Sequence, residues 1–148
     1  MTAPFRAAVI PARDRHDLLA DCINSVIDQV DSVIVIDNLS NSPIDPEPWH
    51  GKVGVVSLPI DPPNISTLWN VGITLADSQA HRVGAAAWDI AVLNSDTVIP
   101  PGWIDTLSAA MRSTTAVLAY PDQHGGQQQI LHTKAEPIDL RQRITGYA

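Results

Sequence analysis

Three short polar segments carry the side chains of this sequence that could bind a ligand. They comprise residues 11–14 (Pro-Ala-Arg-Asp), 37–40 (Asp-Asn-Leu-Ser) and 94–96 (Asn-Ser-Asp). The carboxylates of Asp37 and Asp96 can accept hydrogen bonds from sugar hydroxyls or from a base. A carboxylate with neighbouring phosphate oxygens is also the ligand set that a hard divalent cation prefers. These residue types point to a phosphorylated ligand bound together with a metal ion.

The motifs of several other kinds of site are missing from the sequence. Neither GxGxxG nor GxxxxGK[ST] occurs, so the usual backbone devices for holding a dinucleotide or a P-loop phosphate are absent. No serine lies in a GxSxG turn, and one cysteine with five scattered histidines cannot form a closed structural zinc site. Cys22 lies on the apolar face of a predicted helix, and we interpret it as a buried structural thiol.

The charge and hydropathy of the chain exclude two further classes. Nine Lys and Arg against sixteen Asp and Glu give a formal net charge of −7. The nine cations form no basic run, so the counterion release that drives nucleic-acid binding has no source. No window approaches the ~18 apolar residues of a membrane span, and the start MTAPFRAAVIPARDR lacks a secretory pattern. With a single cysteine, these features predict a cytoplasmic protein without a membrane span.

Alternating apolar runs and helical periodicities predict the elements that position the polar segments. Predicted strands cover 6–11, 32–36, 53–58, 88–93 and 116–120, and predicted helices cover 15–30, 66–76, 103–111 and 136–143. In the first helix, apolar residues from Leu19 to Val30 recur at helical spacing, and Asp14 is a candidate N-cap. Trp69, Trp88 and Trp103 are interpreted as packing residues, and the role of Trp49 is left open.

This order of elements predicts an α/β fold with a mostly parallel central sheet flanked by helices. The length of 148 residues and the hydrophobic content of 45% fit a single domain with one core. Ligands in such sheets bind beyond the carboxyl ends of the strands. Each of the three polar segments follows a predicted strand, so we expect them to converge at one edge of the sheet.

Four segments resemble, in order, the nucleotide-binding part of a GT-A fold glycosyltransferase of the inverting family-2 group. They are 9–15 (VIPARDR), 33–40 (VIVIDNLS), 64–72 (NISTLWNVG) and 93–103 (LNSDTVIPPGW). Asn70 and Gly72 match the family's Asn-x-Gly, and 94–96 stands where the family has its metal-binding Asp-x-Asp. The resemblance covers residues 1–120 and implies a Rossmann-like GT-A layered sandwich that binds a nucleoside diphosphate sugar.

The resemblance also implies roles for individual residues. Donor binding would fall to Pro11, Ala12, Arg13, Asp14, Asp37, Asn38, Asn64, Asn70, Asn94 and Asp96. Of these, 11–14 would wrap the base and ribose, and Asp37 would hydrogen-bond one of them. The alternatives left open are a plain strand-to-helix turn for 11–14, a loop cap for Asp37, and turn or packing roles for Asn64 and Asn70. Gly72 would then only let its helix approach the sheet.

The resemblance assigns the metal to one residue. Asp96 would coordinate Mn²⁺ or Mg²⁺ bridging the donor diphosphate. Asn94 replaces the first aspartate of the family motif, which removes a charge but keeps an oxygen that can accept from a ribose hydroxyl or an outer-shell water. We therefore expect metal affinity to rest mainly on Asp96.

The carboxyl-terminal residues bear on catalysis. In the family the chain continues into an acceptor-binding half that carries the general base, and 143–148 (RITGYA) resembles the start of the strand leading there. Residues 121–148 are thus expected to begin the acceptor-side region, with the acceptor half incomplete. Glu136 and Asp139 match no family motif, so no general base is named. Such a chain alone would be inactive in transfer unless a longer chain or a partner supplied the missing half.

Three functions fit these observations, and they are given in order of preference. The first is an inverting glycosyltransferase of the hexosyltransferase type, acting on an acceptor hydroxyl of a glycan, lipid or protein. The second is a non-catalytic nucleotide-sugar binder, and the third is a nucleotidyltransferase, although residues 11–15 offer arginines without the glycines that a phosphate loop needs. An exposed edge of the sheet is compatible with a homo-oligomer.

Overall fold

The structure, a computed structural model, describes residues 3–114 and 116–119. The chain divides into two compact units, 1–102 and 103–148. The first contains β1 (Phe5–Ala12), α1 (His16–Val26), a 3-10 turn (Ile27–Gln29), β2 (Ser32–Asp37), a second 3-10 turn (Glu47–Trp49), β3 (Val53–Ser57), α2 (Ile65–Arg82) and β4 (Trp88–Val92). The second contains α3 (Trp103–Arg112). That the whole chain forms a single domain stays a prediction.

The four strands form one parallel sheet in the order β3-β2-β1-β4. Ala12 pairs with Asp37 at the carboxyl end of β1 and β2, and Asp37 pairs in turn with Ser57 of β3. On the other side of β1, the last pair with β4 joins Val9 to Val92. The predicted α/β fold with a parallel central sheet is confirmed.

Both faces of the central strands are buried. On one face Ala7, Val9, Ile34 and Ile36 form a core cluster with Leu68 and Ala76 of α2. The residues that alternate with them on β1 and β2, among them Ala8, Ile10, Val33 and Val35, are equally buried. The continuous apolar run 33–36 is typical of such a strand, since both of its faces must avoid water.

Helix α2 lies close to the sheet because residue 72 has no side chain. A Cβ built at Gly72 would overlap Cγ1 of Val9 and would lie 3.3 Å from both Cβ and Cγ2 of the same residue. Val9 is fully buried in the central strand. The interpretation of Gly72 as a residue that lets the helix approach the sheet is therefore supported by the packing.

Four sequence predictions about elements fail in the described residues. The first concerns the predicted helix 15–30, because α1 ends at Val26 and a 3-10 turn follows it. Asp14 is not the N-cap of α1: Arg15 takes that position in a left-handed conformation and no side chain caps the helix. The reason is that the Asp14 side chain is engaged with another loop. Residues 116–119 lie outside any strand. Tyr120 and the predicted helix 136–143 fall outside the described residues, and α2 extends to Arg82, well beyond its predicted end at Ala76.

None of the helices in the described part of the chain combines the length and the apolar character that crossing a bilayer requires.

Candidate functional site

The sheet has one topological switch point. From β1 the chain adds β2 and then β3 on one side, and it then adds β4 on the other side of β1. The strand order thus reverses between β1 and β4, and open α/β sheets bind ligands beyond the carboxyl ends of the strands at such a point. Because β4 pairs with β1 only as far as Val9, β1 extends to Ala12 beyond the last pair.

The loops after β1 and β2 are joined by a small hydrogen-bond network, here called the Asp14 bridge. The backbone N–H of Asp14 donates to Oγ of Ser40 at 2.8 Å. In return, the Asp14 carboxylate accepts from Asn41, with Oδ1 2.7 Å from its backbone N and Oδ2 3.1 Å from its Nδ2. Asp14 adopts a φ of 55°, which turns its backbone into this position. The first two predicted segments thus meet.

Two residues at the end of β2 extend this network. Asp37 is half-buried, and its Oδ1 accepts from the backbone N–H of Ser40 at 3.2 Å. Asn38 is 2% exposed, and its Oδ1 accepts from the backbone N–H of Ile60 at 2.9 Å. Asn38 therefore links the loops after β2 and β3. Asp37 keeps part of its surface open to solvent, and ligand contacts by either residue stay predictions.

The segment after β4 forms a tight turn with Asp96 near its tip. The N–H of Thr97 donates to the carbonyl of Asn94 at 3.1 Å, which closes the turn over Ser95 and Asp96. Asn94 and Asp96 are exposed, whereas the preceding Leu93 is buried and donates its N–H to the carbonyl of Val9. The turn is thus attached to the central strand and presents its carboxylate to solvent.

The predicted first-segment residues differ in exposure. Pro11 and Ala12 are the last two residues of strand β1 and are buried, so they can offer a ligand only their backbone groups. Arg13 is exposed. Arg15 pairs with Asp17 at 3.2 Å, and this hydrogen bond lowers the pKa of the Asp17 carboxyl.

Asn64 and Asn70 belong to α2. Asn64 is its N-cap, and its Oδ1 accepts from the N–H of Thr67 at 3.0 Å. The alternative of a structural role for Asn64 is thereby supported, since a capping oxygen is already occupied. Asn70 lies six residues after Asn64 and is exposed, and its carbonyl accepts from the hydroxyl of Thr74.

The three tryptophans assigned to packing are half-buried, and Trp49 gains a defined partner. Its indole Nε1 donates to Oδ1 of Asn24 on α1 at 2.8 Å. Sequence reasoning missed Asn24 and Asn41, because each acts only through a partner more than twenty residues away. No local pattern marks such a residue.

Cys22 contacts the turn that carries Asp96. Its Sγ donates to the carbonyl of Asn94 at 3.5 Å. Burial raises the pKa of the thiol to about 11, the Asp96 carboxylate adds to the rise, and the N–H of Thr97 opposes it. The interpretation of Cys22 as a buried thiol agrees with this environment.

We expect Cys22 to resist alkylation in the folded chain. A pKa of about 11 in place of 9.0 lowers the thiolate fraction at pH 8 by about 100-fold, and burial slows the reaction further. The raised pKa also stabilises the fold fully below pH 9, and this contribution is lost as the pH rises towards 11. Mass spectrometry after iodoacetamide treatment measures the rate. Equal labelling in buffer and in concentrated urea would contradict the buried placement.

The described residues contain no group of three or more His, Cys, Asp or Glu side chains placed to hold a metal. A cation at Asp96 would thus take most of its ligands from elsewhere. This donor set fits Mg²⁺ or Mn²⁺ bound with a phosphorylated ligand, because such ions are commonly held by one or two carboxylates plus phosphate oxygens and water.

Residues 7–144 match the model of a protein family described as Glycosyl transferase family 2. The match includes all of β1 beyond its first two residues and continues past every described element. A search among curated proteins finds no match to the chain.

Proposed function

The chain belongs to glycosyl transferase family 2, and on that premise we propose that it binds a nucleoside diphosphate sugar and a divalent cation and transfers the sugar to a hydroxyl with inversion. Family membership supports glycosyl transfer in general. The donor, the metal and the stereochemistry are the parts that this proposal adds. Its main support is the placement of Asp96, exposed on a turn beside the switch point of a parallel sheet.

The nucleoside lies against the loops after β1 and β2. Asp37 has solvent-facing surface at the end of β2 and accepts from a base or ribose group. The Asp14 bridge holds the two loops together before any ligand arrives, so little ordering entropy is lost on binding. Residues 11 and 12 contribute backbone groups, and Arg13 adds an exposed positive charge near the phosphates.

The diphosphate lies towards the turn after β4. Asp96 would hold Mn²⁺ or Mg²⁺, and Asn94 would accept from a ribose hydroxyl or from an outer-shell water. When bound, the cation offsets the charge that develops on the departing nucleoside diphosphate. The role of Asp96 is to keep the cation at a fixed position relative to the nucleoside held by Asp37.

Transfer forms one bond and breaks another. The acceptor oxygen bonds to the anomeric carbon from the side opposite the nucleoside diphosphate, the bond from that carbon to the phosphate oxygen breaks, and the acceptor proton passes to a base. The donor site contributes by orientation, since both reacting partners must be aligned. The acceptor class and the base are left unassigned.

Titration calorimetry tests the donor site. The full chain is titrated with UDP, GDP, ADP, CDP and dTDP and with their glucose conjugates, each with and without MnCl₂. We expect one nucleotide to bind, at least about tenfold more tightly with Mn²⁺ because a carboxylate-held cation adds charge compensation. If none binds under either condition, the proposal fails. Release of nucleoside diphosphate from the sugar conjugate on adding candidate acceptors then separates transfer from binding alone.

A further inference from the structure

Two side chains of α1 and one of the 3-10 turn that follows it hold the segment that carries Asp96. They are Cys22 and Ser25 on α1 and Gln29 at the end of the turn, spaced by three and four residues. We call them the α1 row. Their partners are Asn94, Ile99 and Pro100, which flank Asp96 on both sides.

Ser25 supplies an acceptor to a buried backbone group. Its Oγ donates to the carbonyl of Cys22 at 2.8 Å and accepts from the N–H of Ile99 at 3.1 Å. Ile99 is 5% exposed, so its N–H has little access to water. Loss of the hydroxyl would leave this donor unpaired, which is costly for a buried group.

Gln29 bridges the helix and the segment with one amide group. Its Nε2 lies 2.9 Å from the carbonyl of Ser25 and 3.0 Å from the carbonyl of Pro100. The first bond fixes the Gln29 side chain against the last part of α1, and the second holds the end of the segment. Residues 93–100 have no helix or strand of their own apart from the turn at 95–96. Their conformation therefore depends on such anchors.

We propose that Ser25 and Gln29 are positioning residues for the metal site: through Ile99 and Pro100 they fix the segment 94–100 so that Asp96 is aligned with the donor phosphates. This inference rests on the proposed function and adds to it a dependence on a helix that touches neither nucleotide nor metal. Outer residues that orient a metal ligand commonly contribute about 10–100-fold to metal affinity.

The test compares Ser25→Ala and Gln29→Met with the parent chain. The measured quantity is the ratio of nucleotide Kd without and with MnCl₂, taken for the five nucleoside diphosphates of the panel. We expect the ratio to fall about tenfold in each variant, while the Mn²⁺-free Kd stays within twofold, because the loops after β1 and β2 are not altered. Ser25→Thr keeps the hydroxyl and should restore the parent ratio.

Asn24→Ala is the matched control. Asn24 is adjacent to Ser25 on α1 and also bonds a distant loop, but its partner is Trp49 rather than the segment with Asp96. If the α1 row has a purely structural role, Ser25→Ala, Gln29→Met and Asn24→Ala should all lower the melting temperature. The ratio of nucleotide Kd without and with MnCl₂ should then stay unchanged in all three variants. That result, in a parent chain that binds nucleotide with Mn²⁺, would overturn this inference alone. A parent chain without any nucleotide binding would overturn the proposed function with it.

Discussion

Asp96→Ala is expected to remove the Mn²⁺-dependent part of nucleotide binding. The substitution takes away the carboxylate that the proposal gives to the cation, and no cluster of three acidic, His or Cys side chains in the described residues could replace it. The Kd measured with Mn²⁺ should therefore rise to the Mn²⁺-free value, which is an increase of at least about tenfold. Calorimetry with and without MnCl₂ measures the change.

Asp77→Ala serves as the control for charge. It makes the same change in net charge, but Asp77 lies in the second half of α2, where it pairs with His81. Its Kd should match that of the parent chain. Because Asp96 is exposed, its removal should leave the melting temperature almost unchanged. An Asp96→Ala chain that still binds more tightly with Mn²⁺ would refute the metal assignment.

Gly72→Ala should destabilise the fold, although alanine favours helices. The new Cβ would overlap Val9, which is fully buried in the central strand and cannot move aside without shifting the sheet. Overpacking of this kind costs about 1–3 kcal/mol or more, and the gain in helix propensity offsets about 1 kcal/mol at most. We expect a net loss of about 2 kcal/mol in the free energy of unfolding, measured by urea titration.

Two companion variants identify the cause. Gly54→Ala places a Cβ where no heavy atom lies within 4 Å, so its effect should stay within about 0.5 kcal/mol. The double variant Gly72→Ala with Val9→Ala removes the overlap, and the two effects should therefore compensate by at least about 1 kcal/mol. A Gly72→Ala chain as stable as its parent would show that α2 does not need this close approach.

The parts of the fold that follow from local pattern were predictable. The run 33–36 is apolar and β-branched throughout, as is typical of a strand with both faces buried, so the sequence predicted β2 correctly. The apolar stripe from Leu19 predicted a helix at α1, and the polar residues after each apolar run predicted the strand ends. The predicted end of α2 was wrong because Ala80 is the single apolar residue in 77–82 and gives little periodic signal, although it is fully buried and continues the row of Ala76.

The parts that depend on tertiary contacts were not predictable. Asp14 has the residue type and position of an N-cap, yet its carboxylate bonds Asn41, which lies 27 residues away. The strand order that creates the switch point is likewise not written in any single segment. Convergence of the three polar segments could be expected from strand ends alone, whereas the network between Asp14 and Ser40 and the α1 row required the structure.

The Asp14 bridge and the α1 row have no residue in common. One ties the loops that would surround the nucleoside, and the other ties the segment that would hold the phosphates. Residues without shared partners contribute almost independently to binding. Under the proposed function, substitutions in the Asp14 bridge would therefore change the preference for the base and leave the contacts to the phosphates unchanged.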